Sequence, residues 1–350
     1  MKNQLTKSIA IGLVALSVWN CKTSDPEPTP YESGVFILNA GNFFSNNGTV
    51  SFLARNSQTV ATNIFQAANP SLVSSGGVQG YTEVNGKGLI LVDNSTTGQD
   101  KVEIVEAGTF VSRATLKTPD IENPRQVIQV GPNKAYISCW DVSGSGSAFY
   151  KDPGYIAVVD LNTNTVSKKI PAVKGAEKMV VSGTEAFIGS NTYSGDQTLL
   201  IVDVNTDTEK QRIAFGSTPE PIALDANGKL WIQAGKDLVQ LDPLTRIVAK
   251  RLTFPAAPGS VTISTDKKSF YYTLSGKTYN LPIDATAASG SIVIARSFST
   301  LAIDPQTKRI YGSQSPLLYT QAGYVIRYES TGTLVDSVKA EIAPSGFYFR

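Results

Sequence analysis

Three aspartates hold the same place in three similar segments. They are Asp160 in YIAVVDLNTNTVSKKI from Tyr155, Asp203 in TLLIVDVNTDTEKQRI from Thr198, and Asp242 in DLVQLDPLTRIVAKRL from Asp237. Carboxylates brought together on one substrate could do acid–base work. Their shared position argues for another role. Each closes an alternating apolar run and opens a polar turn, where an Asp side chain bonds backbone a residue or two further on. Turn capping is the expectation, and no catalytic residue is assigned.

No histidine occurs in the 350 residues. That removes the commonest general base and the commonest metal ligand, and with them Ser-His-Asp and Cys-His sites, His-ligated haem and most zinc hydrolase centres. Gly144 and Gly146 sit in a loop, not at a strand-to-helix turn that would cradle phosphate. No dense run of alternating Asp and Asn suggests calcium. Asn39, Asn42, Asn46 and Asn47 read first as turn formers. Neither a cofactor nor a metal is expected, and the chain reads as a non-enzyme.

Side chains suited to binding are present. Three long connections interrupt short strands: Ala40–Gly48 (AGNFFSNNG), Asp141–Gly154 (DVSGSGSAFYKDPG) and Ser313–Gly323 (SQSPLLYTQAG). Long loops in a compact fold are uncommon and often functional. In or beside them lie Asn42, Phe43, Phe44, Trp140, Phe149, Tyr150, Leu317, Leu318 and Tyr319, rich in the residue types that anchor ligands. The alternative is that these rings fold back on their own supports. Arg125, Glu177 and Glu220 recur at equivalent lead-in positions (NPRQ, GAEK, TPEP), and their side chains are expected near the mouth of a central channel.

The supporting elements follow from the repeat. Weaker copies begin at Gly48, Asp100, Lys277 and Gly323, for about seven in all. Each full copy is preceded by a further strand pair, as in QVIQV and AYISCW around a Gly131-Pro132-Asn133 turn. Four short strands at a period of roughly 40 to 54 residues mark an all-β, seven-bladed β-propeller with four-stranded blades. A β-sandwich lacks such a sustained period. The first blade opens at GVFILN with no innermost strand ahead of it, and the chain ends on APSGFYFR, which matches an innermost strand. The C-terminal strand is therefore expected to complete the first blade and close the ring.

The fold is expected over 34–350, with 1–20 as a signal peptide and 21–33 as a flexible tether. Lys2 and Lys7 precede an apolar run from Ile9 to Trp19, too short to span a membrane, and Cys21 follows. A Cys there resembles the lipobox of bacterial lipoproteins, in which it is acylated. Val18-Trp19-Asn20 departs from the usual small residue, and an ordinary signal peptide with an incidental Cys is the alternative. Lys22–Pro30 (KTSDPEPTP) suits an extended tether. Cys139 is left without a disulfide partner and is expected to be a small buried residue. Charges nearly balance, 31 basic against 29 acidic, and form no basic stripe, so nucleic acid is not an expected partner.

The IAVVDLNTNTV-type units, the ENPRQV lead-in and the KAYIS strand resemble the YncE-like, YVTN-type seven-bladed propellers. The opening GVFILNAGNFFSNNGTVSFL with NPRQVIQVGPNKAYISCWD is similar to surface propeller lipoproteins of Bacteroidota, among them the BtuG-type cobalamin-binding proteins. That resemblance implies a lipid-anchored protein of the outer membrane, at its cell-surface side, which captures a corrinoid or comparable large nutrient for a TonB-dependent transporter. A protein-interaction propeller without a small-molecule ligand is the alternative.

Overall fold

A computed structural model describes residues 29–73, 75–141, 149–316 and 319–350. Cys21, the segment before it and most of the tether, along with Leu317 and Leu318, lie outside the described residues.

The first blade contributes β1 (Gly34–Asn39) and β2 (Thr49–Ala54). The second holds β3 (Gly77–Val84), β4 (Lys87–Asp93), β5 (Lys101–Glu106) and β6 (Ser112–Lys117). The third holds β7 (Pro124–Gly131), β8 (Lys134–Cys139), β9 (Tyr155–Asp160) and β10 (Thr165–Pro171). The fourth runs from β11 (Ala176–Ser182) through β12 (Glu185–Ser190) and β13 (Thr198–Asp203) to β14 (Thr208–Ala214). The fifth comprises β15 (Pro219–Leu224), β16 (Leu230–Ala234), β17 (Asp237–Leu241) and β18 (Val248–Thr253). The sixth comprises β19 (Val261–Ile263), β20 (Ser269–Leu274), β21 (Lys277–Pro282) and β22 (Ser291–Ile294). The seventh comprises β23 (Thr300–Ile303), β24 (Ile310–Gln314), β25 (Ala322–Tyr328) and β26 (Leu334–Ile342), and β27 (Pro344–Phe349) follows. Seven antiparallel sheets result, and the protein is a seven-bladed β-propeller.

Burial explains the strand patterns. Middle strands are sandwiched between neighbouring blades, so both of their faces must be apolar. All six residues of β1 are buried, whereas β14 at the rim is exposed along most of its length. The core is correspondingly a series of wedges between blades. Leu89, Leu91, Val102 and Ile104 of the second blade pack with Ile137, Ala157 and Val159 of the third.

The ring closes as expected. β27 pairs antiparallel with β1, with Phe36 opposite Tyr348 and Ile37 opposite Phe347. Val35 and Ile37 then pack with Tyr311, Val325 and Val338 of the last blade. An ionic clasp crosses the same seam: Arg55 Nε lies 2.8 Å from Asp304 Oδ2, and Arg327 Nη1 donates to the Arg55 carbonyl at 2.8 Å.

Two expectations need correction. The first blade has three full strands, and its fourth is reduced to one antiparallel bridge between Phe52 and Ala61. Past Ala61 the chain turns into a short helix, Ile64–Ala68, whose Ile64 and Phe65 are buried against Phe36, Phe52 and Phe110. Burying two large apolar side chains there takes the place of a rim strand. Asn39 is no turn former either. It ends β1, fully buried, and its amide donates to Ser51 Oγ at 3.0 Å. Cys139 is buried and free, and burial pushes its thiol up to about 12.

Candidate functional site

The three repeated aspartates sit at turns. Asp160 Oδ1 accepts from the Asn162 amide at 2.8 Å, Asp203 Oδ1 from Asn205 at 2.9 Å, and Asp242 Oδ1 from Leu244 at 2.9 Å. Backbone N–H groups of Thr206 and Asn205 hold the Asp203 carboxyl below its usual range, and Lys229 with two turn amides does so for Asp242. These are turn caps.

The loops between second and third strands gather at the face where the innermost strands begin. In the first blade a web of asparagines shapes the loop. Asn42 Oδ1 accepts from Ser45 N at 3.2 Å, Asn47 Oδ1 accepts from Asn42 N at 2.7 Å, and Asn46 takes a left-handed φ of 50°. Asn46 also exchanges hydrogen bonds with Ser95 of the next blade, at 2.8 and 2.9 Å. With the backbone pinned this way, Phe43 and Phe44 point outward. Their rings are 5.4 Å apart, and Phe44 is 86% exposed.

A groove of about 540 Å³ runs from Asn42, Phe43 and Phe44 to Tyr319 and Ser315. It shares Ser299, Thr300 and Ser345 with the polar central channel, a space of about 340 Å³ lined also by Gln126, Lys178 and Glu220. A second cavity of about 390 Å³ shares Phe43 with the groove on its other side. Its wall holds Asp93, Asp100, Glu122, Arg125, Trp140 and Phe149.

This second cavity is built from blades two and three. Arg125, near the start of β7, reaches back to Asp93 at the end of β4, 2.8 Å between Nη2 and Oδ2. Its guanidinium carbon lies 3.3 Å from the centroid of the Trp140 ring, which Phe149 and Tyr150 meet edge-on at 6.0 and 4.8 Å. Trp140 therefore folds back and is only 8% exposed, whereas Phe44 and Tyr319 do not. Asp100 accepts from the Asn94 amide at 2.7 Å and the Asn123 amide at 2.9 Å, which ties the two blades together. Burial, with Asp100 close by and Arg125 in opposition, pushes the Asp93 carboxyl up to about 6. Burial and then the Asp100 charge raise Glu122 as well.

Arg125, Glu177 and Glu220 do not form one ring. Arg125 belongs to the acidic cavity and Glu220 to the channel. Glu177 accepts from Asn191 Nδ2 at 2.7 Å, and Asn191 Oδ1 accepts from the Tyr150 hydroxyl at 3.1 Å. Sequence reading missed Asp93, Asp100 and Glu122, and also Tyr193, 87% exposed beside the same face. The signal was available in the lengths of the connections 94–100 and 191–197, both far longer than the bare turns of blades five and six.

A closed propeller with hollows on its loop face is consistent with a binding scaffold. Residues 33–349 match a domain of unknown function, DUF5074, and the chain belongs to that family. No curated protein matches it. Among solved structures it is similar to a quinonprotein alcohol dehydrogenase-like protein of Bacteroides thetaiotaomicron, at 16% identity and TM-score 0.67, over 91% of this chain and 78% of that one. It is similar to a functionally unknown protein of Desulfotomaculum acetoxidans, at 12% identity and TM-score 0.64, over 91% and 99%. It is also similar to apo AztD of Citrobacter koseri, at 13% and 0.54, over 90% and 98%. At these identities the likeness concerns the fold alone.

Proposed function

We propose that this protein is a non-enzymatic binding lipoprotein, anchored through Cys21 at the outer membrane, whose loop face captures a large nutrient ligand for a TonB-dependent transporter. A corrinoid is the ligand class. The observation that carries the reading is the groove between Phe43, Phe44 and Tyr319, continuous with a polar channel mouth. A corrinoid has a broad apolar edge fringed with amides. Aromatic faces beside Asn42, Ser299, Thr300 and Ser345 complement both parts. With no imidazole in the chain, recognition rests on packing and amide hydrogen bonds rather than on ligation of cobalt.

Calorimetric titration of the mature domain with cyanocobalamin tests this. Saturable binding that Phe44→Ala weakens is expected, and no heat with any corrinoid overturns it. The exposure of Phe44 and Tyr193 at the rim favours a second reading, a scaffold that docks a protein directly. A stable complex with a transporter in the absence of corrinoid binding would select it.

A further inference from the structure

We propose that the cavity between blades two and three is a separate subsite for a primary ammonium group carrying an oxygen acceptor on its neighbouring carbon. Amino alcohols and amino sugars share this chemistry.

Charge is the first argument. Three carboxyl groups, Asp93, Asp100 and Glu122, share the wall with one guanidinium, Arg125. No lysine lines it. Lys101 turns to Glu103 at 3.0 Å, and Lys169 lies over the Tyr155 ring at 4.1 Å. Residues 142–148, outside the described residues, carry no charged side chain in the sequence. Asp141 adds to the negative side of the balance at Glu122. Buried carboxylates need compensating charge or protons. Burial raises the Asp93 carboxyl against the opposing pull of Arg125, and burial with the Asp100 charge raises Glu122, so one guanidinium does not balance the carboxyl groups of this wall.

Unmet hydrogen bonding is the second argument. Among the described residues, Asp93 Oδ1, Arg125 Nε and Trp140 Nε1 are all buried without a partner. Native proteins leave few such atoms, and here three belong to side chains of one cavity wall. One is an acceptor and two are donors. An ammonium N–H answers the carboxylate, and an adjacent oxygen answers the indole or guanidinium. A bare metal ion satisfies neither donor, and among the described residues no group of three acidic side chains converges closely enough to hold one. Carbon atoms of the ligand would lie against Phe43, Phe149 and Trp140, where aromatic faces favour a cation.

This inference goes beyond the groove and does not depend on a corrinoid. Its test uses the indole N–H resonance of Trp140 in the mature domain, assigned with Trp140→Phe. Ethanolamine and glucosamine are titrated against their neutral counterparts, ethylene glycol and N-acetylglucosamine. The expected result is a saturable shift with at least one amine, with affinity at least tenfold above its neutral partner. Glucosamine alone would indicate an amino sugar and ethanolamine alone an amino alcohol. Asp93→Asn and Glu122→Gln should each weaken the amine severalfold, while Phe44→Ala, outside this cavity, leaves it unchanged. Equal binding of neutral and charged probes, or no shift with either amine, overturns the proposal whether or not cyanocobalamin binds.

Discussion

The guanidinium of Arg125 stacks on the indole of Trp140 with 3.3 Å between the guanidinium carbon and the ring centroid, and the same guanidinium is paired with Asp93. Three residues from two blades are thereby locked into one wall. Stacking of this kind contributes about 0.5–2 kcal/mol. The Asp93 pair is almost wholly buried, so its charges cannot fall back on water.

Stability should consequently depend on Asp93 protonation. Its folded value near 6 lies above the unfolded carboxyl value of about 4. The folded state binds more protons than the unfolded one between those limits, so this contribution is complete below about pH 4 and is lost as pH rises through about 6. Urea melts of the wild type and Asp93→Asn at several pH values isolate it. The stability of the wild type relative to the variant should fall between pH 4.5 and 7, by on the order of 2 kcal/mol. A constant difference would show that Asp93 ionises normally.

Much of the ring was legible in the sequence because its cause is local. A strand ending in Asp and a polar turn repeats wherever a blade needs its outer hairpin, and the missing first strand matched the surplus last one. The binding wall was less legible because its causes are not local. Whether Trp140 faces solvent or folds back is decided by Arg125, from another strand, and by Phe149 across a long loop. Asp93 and Asp100 become neighbours only once β4 and β5 are paired and their loop is pinned by Asn46. The lost rim strand of the first blade depended on Ile64 and Phe65 finding a core site, which strand periodicity does not encode.

Deleting 344–350 should open the ring. The truncation removes the β1–β27 ladder, the Phe347 and Phe349 contacts with Tyr311, and the Arg350 contact with the Tyr31 carbonyl. A ladder and three partly buried aromatics together are worth several kcal/mol, roughly. Calorimetry should show a melting temperature lower by at least about 5 °C, and an unchanged midpoint would refute closure as a stabilising device.

The clasp at the seam should matter separately. Arg55→Ala leaves Asp304, fully buried, without its guanidinium. Burial alone would raise the Asp304 carboxyl, but Arg55 and the Gln306 amide hold it below its ordinary value. A lowered folded value means stability that is present at neutral pH and lost as pH falls through that value. The variant should lose about 3 kcal/mol at pH 7 and less in acid, where Asp304 can take a proton. Chemical denaturation at pH 7 and pH 3.5 measures both terms, and equal losses at the two would contradict the pairing.

The groove gives the sharpest separation of binding from folding. Phe44 is 86% exposed and Tyr319 54%, so neither supports much of the core. Phe44→Ala and Tyr319→Ala should leave the melting temperature within about 1 °C of wild type, as expected for exposed positions. If they anchor a corrinoid, each should weaken binding by about 1–3 kcal/mol, a change of roughly five- to 150-fold in Kd. Phe43 serves as the internal comparison. It borders both the groove and the acidic cavity, so Phe43→Ala should weaken corrinoid and amine together, whereas Phe44→Ala weakens only the corrinoid. Parallel titrations with cyanocobalamin and ethanolamine on the two variants read this pattern directly. Identical effects of both variants on both ligands would mean that the two hollows act as one site.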